Sequence, residues 1–115
     1  MIKKSGSYVS ELRENMRGGD GAVNIETLLT PSEMYDKGRL FAKMTLNPGS
    51  SIGPHVHEGE MEAFYILSGE AEYYDNGKTV TLQPGDAALN FDGEEHSIKS
   101  VGATPLELIA TILLK

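Results

Sequence analysis

Cysteine is absent from this chain of 115 residues, and so is tryptophan. Without cysteine there is no disulfide, no thiolate metal site and no cysteine nucleophile. Long apolar runs are missing too, and nothing approaches the roughly 20 residues that a membrane helix needs. Lys3 and Lys4 stand near the start, but Ser5, Gly6 and Ser7 follow where a signal peptide would place its apolar segment. The expected location is therefore the cytoplasm. Basic clusters are scarce: the net charge is −7, and Lys3-Lys4 is the largest Lys/Arg group. A nucleic-acid binder needs a basic face, and an acidic body is repelled by anionic membranes. That leaves small molecules, metal ions and a second copy of the chain as expected partners.

Hydrophobic residues make up 39% and charged residues 23%, the balance of one ordinary packed domain. Glycine (13) and proline (5) fall between short alternating runs, the punctuation of many strands and turns. Residues 1–21 read as a polar arm with one helical turn around Ser10–Asn15, Ser10 serving as its N-cap. The strand-rich domain is expected over 22–115. Val23, Ile25 and Thr27 alternate as in a half-buried strand. Thr30-Pro31-Ser32-Glu33 reads as a turn or one short helical turn. Further strands are expected at Arg39–Leu46, Glu62–Leu67, Glu70–Tyr74, Thr79–Leu82, Ala87–Phe91, His96–Val101 and Leu106–Leu114. Asn76-Gly77 is the strongest hairpin signal. No long helix is expected, so the class is all-β: sandwich, barrel or jelly roll. In the last strand Leu106, Leu108, Ala110, Ile112 and Leu114 share one face, and Ile109 and Leu113 lie on the other. If that second face points outward it needs a cover, either a second copy in a homodimer or the N-terminal arm.

The three histidines are His55, His57 and His96. His55-x-His57 on an extended segment puts two imidazoles on one face. A turn at Glu58-Gly59-Glu60 brings Glu62 back toward them, and His96 opens a later strand. Three imidazoles and a carboxylate form a mixed nitrogen and oxygen donor set suited to Mn, Fe, Co, Ni, Cu or Zn. Taken singly, such residues are more often surface groups than ligands.

The turns around them carry a resemblance. Gly49, five residues, His55-x-His57, four residues, Glu62, six residues and Gly69 match the first cupin motif at each defined position. Gly85, five residues, Phe91, then Gly93 and His96 reproduce the spacing of the second. The chain thus resembles the cupins from at least Gly49 to Ser100. Phe91 stands where the motif usually has proline, and Ser100 where it has asparagine; neither is a ligand position.

The resemblance implies a double-stranded β-helix, a jelly-roll barrel of two antiparallel sheets. It also implies one divalent transition metal per subunit on His55, His57, Glu62 and His96, with open positions left on the ion. Strand-exchanged homodimers are frequent in the family, and the arm is the segment that would be exchanged. Adjacent open positions suit a small oxygen-rich anion: a dicarboxylate, a 2-oxo acid or a diol. Decarboxylase, dioxygenase and isomerase chemistry are the enzymatic readings. A non-catalytic metal or metabolite-binding module is the alternative. Glu60 is a candidate acid or base, as are Glu58, Glu94 and Glu95. Arg17 is a candidate catalytic residue or carboxylate clamp, from this chain or a partner subunit, and Arg39 is a second candidate clamp. Met44, Phe64, Ile66 and Ile98 are expected to line the barrel.

Overall fold

The computed structural model describes residues 1–115. Ten strands run in chain order: β1 Ser10–Glu14, β2 Ala22–Thr27, β3 Gly38–Leu46, β4 Ser51–Val56, β5 Glu60–Ser68, β6 Ala71–Asp75, β7 Lys78–Leu82, β8 Ala87–Asn90, β9 Glu95–Ser100 and β10 Leu106–Leu114. Two short 3-10 turns, Met16–Gly18 and Ser32–Met34, interrupt them. One sheet has six strands in the order β1-β2-β3-β10-β5-β8, and the other has four in the order β4-β9-β6-β7. All pairings are antiparallel. This is the jelly-roll arrangement that the resemblance implied. No helix is long and apolar enough to cross a membrane.

Strand alternation builds the core. In β10, Leu106, Leu108, Ala110 and Ile112 are buried, and each odd-numbered neighbour is more exposed. Met44, Phe64, Ile66 and Ile98 face the same interior, as expected. Sixteen buried apolar residues from both sheets form one cluster. Each fully buried Leu or Ile contributes about 1.5–3 kcal/mol relative to exposure. Asn76 and Gly77 both adopt positive φ, 48° and 93°, as a two-residue hairpin between β6 and β7 requires.

The arm departs from expectation. Ser10–Glu14 is an edge strand paired with β2 from Ser10↔Glu26 to Glu14↔Ala22, not a helical turn. Its residues are all exposed, so it carries no buried face and no alternation. Backbone pairing to β2 satisfies donors that a single isolated helical turn would leave open. The helical character falls just beyond, at Met16–Gly18, which lies on β4. Backbones approach closely there: a Cβ at Gly53 would collide with the Arg17 carbonyl, and one at Gly19 with the Ser51 carbonyl. Met1, Lys3 and Tyr8 of the arm wall a second cavity together with Phe41. The outward Leu113 remains 46% exposed.

Candidate metal centre

The β4–β9 register sets His55 directly opposite His96. Between Ile52 and His55 that register shifts, with one extra residue on β4. Such a bulge re-aims nearby side chains. It also frees the Gly53 carbonyl, which lies 2.8 Å from His55 Nδ1. His57 follows the end of β4 and is buried, whereas Val56 between the two points outward. Gly59, at φ 70°, turns the chain into β5. Glu62 then reaches in from the opposite sheet.

The four side chains meet at one point. His55 Nε2 lies 3.2 Å from His57 Nε2 and 3.1 Å from His96 Nε2. His57 and His96 Nε2 are 3.1 Å apart. Glu62 Oε1 is 3.0 Å from His57 Nε2 and 3.1 Å from His96 Nε2. The remaining pair, His55 and Glu62, stays within 4.8 Å. An ion bonded to imidazole at about 2.1 Å places donors about 3 Å apart at right angles, against about 3.4 Å in a tetrahedron. Five of the six spacings match the right-angle value, so the set fits a five- or six-coordinate ion with positions to spare.

Each imidazole is held by its other nitrogen, which leaves Nε2 as the free lone pair. His55 Nδ1–H donates to the Gly53 carbonyl at 2.8 Å. His57 Nδ1–H donates to Glu60 Oε2 at 2.6 Å. His96 Nδ1 lies 2.7 Å from the Tyr73 hydroxyl, which accepts from it in the tautomer that leaves Nε2 free. Such partners fix the tautomer and ring orientation of metal-binding histidines. Glu60 is itself gripped by Arg39, Nε and Nη2 each 2.7 Å from a carboxylate oxygen. The Arg39 guanidinium, followed by His57, holds the Glu60 pKa down to about 2. The Phe64 ring stacks on His96, centroids 5.3 Å apart and 12° from parallel.

Electrostatics favour an ionised carboxylate. Burial alone would push the Glu62 pKa up, but its contacts with His57 and His96 outweigh burial and bring it below the usual value. His57 is pulled up, chiefly by Glu62. His55 is pushed down, chiefly by burial.

A cavity of about 550 Å³ opens from the cluster to the surface. Its walls include His55, His57 and Glu62, the buried Met44, Ile52 and Ile112, and the exposed Arg17 and Arg39. The structure therefore brings Arg17 to the site from the same chain, on a left-handed backbone (φ 54°). No carboxylate pairs with it, whereas Arg13 is paired to Glu11 and Arg39 to Glu60. Glu58, Glu60, Glu94 and Glu95 do not line the cavity; the acids that do are Glu11, Glu14 and Glu62. Glu60 stands behind His57, and Glu94 accepts from the Phe91 N–H and the Asn76 amide.

The family model described as a cupin domain matches residues 42–112. The chain belongs to the cupin family. It is 48% identical over 114 residues to the oxalate-binding protein of Thermotoga maritima, covering 99% of this chain and 94% of that one. A crystal structure of a predicted oxalate decarboxylase from Thermotoga maritima superposes with a TM-score of 0.96 at 48% identity, covering both chains in full. The cupin domain of Schizosaccharomyces pombe Cnp3 superposes at 0.74 with 16% identity, covering 91% of this chain and 69% of that one, a likeness of fold alone.

Within this cupin the two departures from the motif have local consequences. Phe91 has an N–H that proline would lack, and it donates to Glu94 Oε1 at 2.7 Å. Ser100, in place of asparagine, is buried with its Oγ unpartnered. Sequence reasoning missed Tyr73 as the partner of His96. Its signal was the parity of Ala71 and Tyr73 on β6, a strand that the fold pairs with β9.

Proposed function

We propose that this cupin holds one divalent transition metal on His55, His57, Glu62 and His96 and captures a small oxygen-rich anion on it, a dicarboxylate such as oxalate. The observation that carries the reading is the convergence of three Nε2 atoms and one carboxylate oxygen, five of their six spacings at 3.0–3.2 Å, each imidazole locked from behind. The bound ion would supply Lewis acidity and a template for two oxygens of the anion. Arg17, unpaired at the cavity mouth, supplies a positive charge and a fork suited to a carboxylate. Met44, Ile52 and Ile112 keep the inner wall apolar and the ligand small. The oxalate-binding relative supports the choice of ligand.

Turnover of the bound anion by decarboxylation, dioxygenation or isomerisation is the second reading. It needs a group that exchanges a proton with the substrate. Glu60, at a pKa of about 2, is ionised and committed to Arg39 and His57. Of the acids on the cavity wall only the exposed Glu11 and Glu14 remain for that role, and capture, which needs no proton carrier, is the reading we adopt. Titration of metal-free protein with Mn(II), then of the loaded protein with oxalate, tests the proposal. Saturable oxalate binding only after metal loading is the expected result, with no formate released. Release of formate and carbon dioxide would move the assignment to a decarboxylase, and oxalate binding without metal would overturn it.

A further inference from the structure

Three of the four converging side chains have a partner behind them: Gly53 for His55, Glu60 for His57 and Tyr73 for His96. Glu62 has none. Its Oε1 faces His57 and His96, and its Oε2 makes no hydrogen bond within the protein. Directly across the β5–β8 ladder from Glu62 stands Asn90. Both residues point into the interior, and Asn90 is fully buried. Its amide nitrogen and its amide oxygen both lack a partner.

An unpaired buried amide is costly, because folding strips it of water and returns nothing. Replacing it with an apolar side chain of similar shape would then stabilise the protein. Residues directly opposite on an antiparallel pair have Cβ atoms about 4.5–5.5 Å apart. Rotation about side-chain torsions brings an amide N–H to a carboxylate oxygen across that gap. One buried donor without an acceptor thus stands across the ladder from a carboxylate oxygen, at the edge of the cavity, that no protein donor reaches.

We propose that Asn90 is the positioning residue for Glu62 in the metal-loaded protein: on loading, its now unpartnered amide turns to donate to Glu62 Oε2, so that the carboxylate offers the metal a single oxygen, Oε1. The inference rests on the metal reading above. It assigns to Asn90 the part that Gly53, Glu60 and Tyr73 play for the histidines. No sequence motif points to it, since position 90 lies in the variable stretch between Gly85 and Phe91.

The test compares Asn90→Val with Asn90→Thr, two side chains of one shape of which only threonine keeps a donor. Mn(II) affinity is measured by calorimetry, and the melting temperature is taken on the metal-free proteins. The valine variant is expected to lose about 10- to 100-fold in Mn(II) affinity. Its metal-free melting temperature is expected to match or exceed that of the wild type. The threonine variant is expected to bind several-fold more tightly than the valine variant. Wild-type affinity in the valine variant, or equal losses in both, overturns the assignment of Asn90 and leaves the metal reading intact. A wild-type protein that takes up neither Mn(II) nor Zn(II) overturns both. If the valine variant does not fold, the wild-type side-chain amide resonances of Asn90 decide. On Zn(II) loading they shift and exchange more slowly if the bond forms, and stay unmoved if it does not.

Discussion

Replacing Gly53 with alanine probes how the Met16–Gly18 turn and the metal cluster are tied together. Gly53 touches both: the Arg17 carbonyl occupies the place that a Cβ would take, and its own carbonyl receives the His55 Nδ1–H. An added Cβ would sit well inside the 3.0 Å that real Cβ atoms essentially never cross, against backbone rather than a flexible side chain. The turn would have to retreat by about 1 Å to restore ordinary contact. Overpacking of this kind costs about 1–3 kcal/mol. The shift also moves the carbonyl that orients His55, and loss of such a partner lowers metal affinity by about 10- to 100-fold. Arg17 moves outward with the turn, so anion affinity falls further than metal affinity does. Urea unfolding of the metal-free variant measures the first effect; Mn(II) titration followed by oxalate titration measures the others. An Asn15→Ala variant, altered on the same turn without touching Gly53, controls for general loosening. Unchanged stability and unchanged Mn(II) affinity in Gly53→Ala would refute the coupling.

Three further outcomes are expected. Tyr73→Phe leaves the buried His96 N–H unpaired at a cost of about 1–3 kcal/mol, with Mn(II) affinity down about tenfold; equal affinities would remove Tyr73 from the site. Arg17→Gln keeps Mn(II) affinity and loses the preference for oxalate over oxamate, a monoanion of the same shape, as read by competitive titration; a preserved preference would show that Arg17 makes no contact with the anion. Lys3 donates to the Leu28 carbonyl and to Glu33, and that contact with Lys3, before the Thr30 N–H, holds the Glu33 pKa down to about 2 from 4.5. Because the folded value is the lower one, the tether is in force above pH 4.5 and is lost as pH falls toward 2. The resonance of the Thr30 amide, which donates to Glu33 Oε1 at 2.8 Å, should move over that window and stay fixed above it; a resonance unmoved down to pH 2 would contradict the tether.

Much of this was legible in the sequence, for definite reasons. Strands with one buried face alternate, and β10 appears with both its ends in place, Leu106 and Leu114. His55, His57, Glu62 and His96 stand out because turn glycines flank them at fixed offsets. Edge strand β1 was not legible, since an exposed strand imprints no hydrophobic period. Nor were the residues behind the cluster. Arg39 and Glu60 stand 21 positions apart, and Tyr73 and His96 23 apart, so only the pairing of strands brings them together. Asn90 was hidden for the same reason: its meaning lies in the residue across the ladder. Arg17 was visible as a candidate, but not which chain would bring it to the cavity, because its position depends on two backbones touching at Gly19 and Gly53.

The most direct measurement of the central claim is an anomalous-difference map of crystals grown with Mn(II). The account predicts one strong peak bonded to Nε2 of His55, His57 and His96 and to a single oxygen of Glu62. A map without a peak between those four side chains, with the ion bound elsewhere or not at all, would contradict it.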